Sequence, residues 1–268
     1  YNASQNQTKQ NEQVRDMIAA DFDVICVNLV DRTAPTEVIN AARNADVPII
    51  FFNRELVEDD LQRWEKLFYV GADAFVSGKM QGELAADAIR SGTVDRNGDG
   101  AIQYVVLEGE AGHQDAIARS ESSVNRMLEL GVKLDRLTYA IANWNRAQAK
   151  TQMDKIIRQY GEDIELVLAN NDEMALGAID AFEASDLPKA QWPLIFGIDG
   201  TEAGLAAVRD GKLEATIYND AEGQAAAIFQ LAHHLALEEP LSDLHLVGDK
   251  YIRLPYEKVT RENVVEFR

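Results

Sequence analysis

Two observations predict an α/β fold built from parallel sheets. Short apolar, β-rich runs recur along the 268 residues. Amphipathic stretches of about 10–15 residues lie between them, the beat of βαβ units. A third observation concerns the ends of the apolar runs, where amide and carboxylate residues collect; ligands of parallel sheets sit at those carboxyl ends.

The elements follow in order. Gln5 to Ala20 is polar with apolar positions at Val14, Met17 and Ile18, a helix, and Asp23 to Asn28 is a buried strand. Pro35 stands where the next helix begins and Ala41-Ala42 continue it. Pro48 opens a second buried strand, Pro-Ile-Ile-Phe-Phe52. The pattern returns at Tyr104–Leu107, Leu137–Ile141, Leu166–Ala169, Leu194–Gly197 and Ala215–Tyr218. Helices are predicted over Gly78–Ile89, Ala116–Leu130, Arg146–Gln159, Glu173–Ala184, Thr201–Arg209 and Ala221–Leu237.

Composition narrows the function. The length exceeds one comfortable core, so two lobes or one large α/β unit are expected. Lys and Arg number 26 against 45 Asp and Glu, a formal charge of −19, which argues against nucleic-acid binding. No run approaches the roughly 18 apolar residues of a membrane helix. The one cysteine, Cys26, excludes an intrachain disulfide and a Cys-rich zinc site. It does not choose between cytosol and periplasm. Tyr1 reads as an interior start.

Asn28, Asn53, Asn170-Asn171-Asp172, Asp199 and Asn219-Asp220 end five of the apolar runs. Each could cap the helix that follows. Together they read as a polar rim suited to a ligand with many hydroxyls, since Asp accepts and Asn both donates and accepts. Gly109 to Arg119 adds His113, Asp115 and Arg119 near a helix entry, with Asp115 and Arg119 spaced as an i, i+4 pair. An enzymatic reading would make His113 a general base, but no nucleophile elbow or phosphate loop accompanies it. Trp144, between Asn143 and Asn145, reads as a stacking platform in a polar loop. Trp64, Trp192, His233, His234 and His245 read as structural.

The sharpest local signal is Asp95-Arg-Asn97-Gly-Asp99-Gly100-Ala101-Ile-Gln103. Oxygen ligands at positions 1, 3 and 5, Gly at 6, a backbone carbonyl from Ala101 and an amide from Gln103 match a calcium loop. Position 12 is Val106, where a bidentate Glu is needed, and the loop runs into a strand. The closing carboxylate must therefore come from elsewhere. The same residues would also serve as a solvated turn.

These residues together resemble the bacterial periplasmic D-galactose/D-glucose-binding proteins of ABC sugar uptake, over nearly the whole chain. The resemblance rests on Ser4-Gln-Asn, Val27 to Asp31, Phe51-Phe-Asn53, Tyr69-Val-Gly71, the calcium loop, Gly112-His-x-Asp, Ala147-Gln-Ala-Lys150, Ala169 to Asp172 and Phe196 to Asp199. It implies that Asn53, His113, Asp115, Arg119, Asn171, Asp199 and Asn219 hydrogen-bond a monosaccharide and that Trp144 stacks on its ring. It implies Ca²⁺ held by Asp95, Asn97, Asp99, the Ala101 carbonyl and Gln103, with Glu165 as the distant closing acid. The fold implied is two flavodoxin-like lobes of the type I periplasmic binding protein, joined by three hinge crossovers and closing on the sugar. The lobes would be 1–71 plus 220–254 and 72–219 plus 255–268.

The family pattern also carries a strand and a helix ahead of Tyr1, with that strand at the middle of the first sheet. The first lobe is therefore expected to be incomplete, a truncated form whose missing strand lies outside this sequence, comes from another chain, or is replaced by rearrangement. The implied function is capture of D-glucose or D-galactose for an ABC permease, with a chemoreceptor as a second partner and no enzymatic activity. The implied location is the periplasm, or a lipid-anchored surface form in a single-membrane bacterium. Alternatives are a truncated relic that binds calcium but not sugar, the sensor half of a sugar-responsive repressor, and a sugar enzyme using His113 and Asp115.

Overall fold

The computed structural model describes residues 1–92 and 94–267; Arg268, the last residue of the expected second lobe, lies outside them. The chain forms two compact units, Tyr1–Asp73 with Asp220–Pro255 and Ala74–Asn219 with Tyr256–Arg268, so it passes between them three times. Each is an α/β unit with its own sheet.

The first unit contains α1 (Gln7–Ala19), β1 (Ile25–Val27), α2 (Thr36–Ala45), β2 (Ile49–Phe52), α3 (Glu58–Leu61) and β3 (Leu67–Gly71). Its sheet order is β1, β2, β3 and a strand from the chain's far end, Tyr251–Arg253, all parallel. Strand alternation sorts its side chains onto two faces. Ile25, Val27, Ile49, Phe51, Leu67 and Tyr69 pack with Val14, Val38 and Ala42 of α1 and α2. Ile50, Phe68 and Val70 pack instead with Leu231. That leucine is the one buried residue of the helix Ala221–Ala236, whose Phe229 is 70% exposed. β1 pairs with β2 on one side and, among the described residues, with no strand on the other.

The second unit contains α4 (Ala74–Ser91), β4 (Ile102–Glu108), α5 (Gln114–Glu129), β5 (Leu134–Ile141), α6 (Arg146–Tyr160), β6 (Leu166–Ala169), α7 (Asp172–Glu183), β7 (Leu194–Phe196), α8 (Glu202–Arg209) and β8 (Ala215–Asn219). The helix Ala221–Ala236 is α9, Tyr251–Arg253 is β9 and Tyr256–Thr260 is β10. The second sheet runs β10-β8-β7-β6-β4-β5, with β10 alone antiparallel to its neighbour. Val105, Leu107, Val167 and Ile195 face Met153, Met174 and Phe182 of α6 and α7. Tyr104, Val106, Leu166 and Leu168 face Ala85, Ala86 and Met127 of α4 and α5. Helices on both faces force nearly every residue of β4 and β6 to be apolar, which is why they read as continuous runs.

Candidate functional site

The carboxyl ends of β4, β6, β7 and β8 bring most of the expected ligand residues together within the second unit. Arg119 reaches them from α5. It is 5% exposed and donates from Nη1 to the Asn170 carbonyl at 2.7 Å and to Asp199 at 3.4 Å, and from Nη2 to the Tyr256 hydroxyl at 3.2 Å. Its Nε is buried without a partner. Burial disfavours the guanidinium's charge, yet Tyr256, Asp199 and Asp115 push its pKa up. The expected i, i+4 pair with Asp115 is not a direct bond among the described contacts. The side chain instead crosses to β6 and β10, where carbonyl and hydroxyl acceptors stand in a dry setting.

Asp199 keeps 28% of its side chain exposed, and its pKa is raised by burial despite Arg119. Its φ of 117° lies where a non-glycine residue is strained by about 1–3 kcal/mol. Asn219 bonds it twice, through its backbone N–H to the Asp199 carbonyl at 2.9 Å and through its side chain. Trp144 follows Asn143, both in the left-handed region at φ 60° and 52°, a kink that aims the indole. The ring meets His113 edge-on, 5.0 Å between centroids, and has the Arg119 guanidinium 5.9 Å away. A side chain at Gly109 would collide with that indole, so the glycine makes room for it.

Helix capping and rim are compatible. His113 caps α5 by accepting from the Asp115 N–H at 3.1 Å, and Asn171 caps α7 by accepting from the Met174 N–H at 3.0 Å. Asp220 likewise caps α9. Asn28, Asn53 and Asp199 cap no helix. Asn53 sits in the first unit after β2, exposed, at φ 62°, with its carbonyl accepting from Tyr69 Oη at 3.0 Å. Trp64 is buried, and Trp192 packs against Phe182.

Sequence reasoning missed Tyr256 and passed over Asn170 as a single residue of the rim. Asn170 is buried and tied to the Gly109 N–H and to Ser120. Tyr256 begins β10, Tyr-Glu-Lys-Val-Thr, whose apolar positions 256 and 259 do not alternate, so the run after Pro255 carried no strand signal. Asp172 is a further buried polar residue. Burial and the neighbouring Asp199 charge push its carboxyl from 3.8 to about 7, against hydrogen bonds from Thr216 and Thr201. Its folded pKa stands above the unfolded one, so the folded state keeps this proton over a pH range in which the unfolded chain has lost it. Stability from this group is therefore full below pH 4 and is lost as pH rises toward 7. Asp172→Asn is expected to gain stability relative to the parent across that interval. Melting temperatures of the two proteins from pH 4 to 8 check this, and curves that stay parallel would refute it.

The calcium-type loop lies between α4 and β4. Asp95 accepts from the Gly98 and Gly100 N–H groups, Asn97 from Asp99 and Asp99 from Ala101, so the carboxylates and the amide fold the loop around themselves. Gly100 has φ 82° with open space around it, so backbone conformation requires the glycine there. The amides of Asn97 and Gln103 turn inward on Asp99 Oδ2 at 3.1 and 2.8 Å, and on each other at 3.2 Å. Rotating either amide by half a turn puts an oxygen at that point. Glu165, 1% exposed, accepts from the N–H groups of Arg96 and Gln103 and binds the loop's two ends to β6. Among the described residues no three His, Cys, Asp or Glu side chains form a metal-sized group. The donor set thus leans on amide and carbonyl oxygens beside Asp95 and Asp99, a chemistry that suits a hard cation.

Two parallel-sheet units with polar groups gathered at strand ends define an α/β ligand-binding protein. Residues 1–240 match the family described as "Periplasmic binding protein domain", and the chain belongs to that family. It is similar to the D-galactose/methyl-galactoside binding periplasmic protein MglB of Haemophilus influenzae, 33% identical over 99% of this chain and 81% of that protein. It is 31% identical to a putative rhizopine-binding protein of Rhizobium meliloti, over 97% of this chain and 78% of the other. Among solved structures it resembles an ABC transporter solute-binding protein of Bacillus halodurans with bound myo-inositol. That match has TM-score 0.84 and 32% identity, over 99% of this chain and 84% of that one. The architecture is the two-lobed α/β type of the periplasmic binding proteins. No described helix is long and apolar enough to cross a membrane.

Proposed function

We propose that this protein captures a hydroxylated six-membered ring, D-galactose or D-glucose foremost, and delivers it to an ABC permease without chemical change. The observation that carries this reading is the buried Arg119 with an unpaired Nε, set between Asp199 and the Trp144 indole. A carboxylate accepts from sugar hydroxyls, a guanidinium donates to hydroxyl or ring oxygens, and an indole face covers the apolar C–H face of a pyranose. His113, Asp115, Asn171 and Asn219 fill out the same rim, and the resemblance assigns a sugar hydrogen bond to Asn53 as well. The relative named for galactose and methyl-galactoside, and the structure holding myo-inositol, support a ring polyol.

The loop at Asp95, Asn97, Asp99, Ala101 and Gln103, closed by Glu165, belongs to the proposal as a structural Ca²⁺ site. When bound, the ion would tie the α4–β4 connection to β6. A periplasmic location and a chemoreceptor partner rest on the resemblance. Calorimetric titration with D-galactose, D-glucose and myo-inositol, in calcium and after chelation, tests the whole. One of them should bind at micromolar strength or better. Trp144→Ala should weaken it about 10- to 100-fold, a loss of roughly 1–3 kcal/mol. No heat with any of the three from folded protein would overturn the sugar reading. If calcium still raised the melting temperature, the calcium-binding relic would stand instead.

A further inference from the structure

Asp172 is the first residue of α7 and its carboxylate is buried under the turn that follows β7. Oδ1 accepts from the Thr216 hydroxyl of β8 at 2.6 Å, and Oδ2 from the Thr201 N–H at 2.7 Å and the Thr201 hydroxyl at 3.3 Å. Its own N–H donates to the Ile198 carbonyl at 2.7 Å. Thr216 in turn accepts from the Gly200 N–H at 3.3 Å. One residue therefore holds both flanks of the segment Ile198–Thr201, directly or through one hydroxyl. Packing is built around it: a side chain at Gly197 or Gly204 would run into the Asp172 carboxylate. The carboxyl is fully buried, and no Lys or Arg donates to it among the described bonds. Such burial is costly for an acid, and an apolar residue would pack there without that cost.

What the held segment contains explains the arrangement. Asp199 sits between the two tethered flanks with φ 117°, and Gly200 follows at φ 67°. A strained aspartate persists only where its surroundings over-determine it. We propose that Asp172 is the positioning residue for ligand recognition: it clamps Ile198–Thr201 so that Asp199 keeps its strained backbone and faces Arg119. The inference rests on the strand-end cluster being the ligand site, and it deepens that reading. Asp172 makes no ligand contact and acts through Asp199. Asn in its place keeps one oxygen for the Thr201 N–H and offers an N–H to the Thr216 hydroxyl, so it preserves the clamp.

The test uses the full chain with whichever of D-galactose, D-glucose or myo-inositol the parent binds. Asp172→Ala should weaken affinity at least tenfold in protein that still melts cooperatively, while Asp172→Asn stays within threefold of the parent. In an Asp199→Ala background, adding Asp172→Ala should change affinity by less than threefold. Parent-like binding by Asp172→Ala overturns the proposal, and so does a full additive loss in the double variant. Should Asp172→Ala fail to fold, Thr216→Val, which removes one donor to the carboxylate, should weaken binding severalfold; unchanged affinity refutes the clamp. If the parent binds none of the three probes, the sugar reading falls separately. The clamp is then decided by nuclear magnetic resonance of the Gly200 amide and the Arg119 Nε–H in Asp172→Asn and Thr216→Val. Shifts in Thr216→Val with parent-like signals in Asp172→Asn support it, and parent-like signals in both overturn it.

Discussion

Replacing Arg119 by Met is expected to abolish ligand binding and to lower the melting temperature of the protein by roughly 6–15 °C. The guanidinium is nearly inaccessible, and its removal strips the Asn170 carbonyl and the Tyr256 hydroxyl of their donor. It also leaves Asp199 and Asp115 without the cation both face. Breaking a buried charge pair by deleting one partner costs about 3–5 kcal/mol, because the other charge stays behind uncompensated. Met keeps the apolar stem as far as the position of Nε, so the loss falls chiefly on the contacts of the guanidinium head. Arg119→Lys keeps the charge, but a single ammonium cannot reach the carbonyl, the hydroxyl and the carboxylate along one plane. It should recover part of the stability and little of the binding. Scanning calorimetry with sugar titration checks this, and a Met variant melting within 2 °C of the parent would contradict the account.

Glu165→Ala should cost about 2–5 kcal/mol and erase any calcium dependence of stability. Its carboxylate accepts from two backbone N–H groups, those of Arg96 and Gln103, and each orphaned donor costs about 1–3 kcal/mol. The same carboxylate is the acid proposed to complete the metal loop. In the parent, calcium at a thousand times its dissociation constant should add about 4 kcal/mol. Melting curves in calcium and in chelator separate the two effects. A calcium-induced rise that survives in Glu165→Ala would remove Glu165 from the ligand set. A parent that melts alike in both conditions would reduce the loop to a turn.

How far the sequence reached depends on the length scale of each interaction. The strands β2, β4, β6, β7 and β8 were legible because a sheet covered on both faces admits mostly apolar residues, and β1 because its run is apolar although Cys26 is exposed. β3, β9 and β10 were not read as strands. β3 is buried throughout, so its apolar run was there to read; β9 and β10 are short, only partly buried in their patterns, and exist because distant strands offer them an edge. β5 was legible from Leu137 onward, yet it begins at Leu134, since an edge strand can place Asp135 and Arg136 in solvent. The oxygen-rich loop could be read because its side chains bond within nine residues. Its closing Glu165 had to come from resemblance, for it meets Gln103 only through the pairing of β4 with β6.

The candidate site divides in the same way. Residue types at strand ends are a local property, and Asn171, Asp199, Asn219, His113 and Trp144 stood out by position alone. Local spacing also suggested that Arg119 pairs with Asp115. Its bonds instead go to Asn170 and to Tyr256, 51 and 137 residues away. By itself, then, the amino-acid sequence determined the α/β alternation, the polar rim and the oxygen-rich loop, because each follows from periodicity or from neighbours along the chain. Only the tertiary structure decided which cation faces which acid, that Asp172 lies beneath the Asp199 turn, and that Tyr256 completes the Arg119 cluster. Those contacts form where strands distant in sequence are brought side by side, and charge and hydrogen-bond strength depend on the burial that this creates.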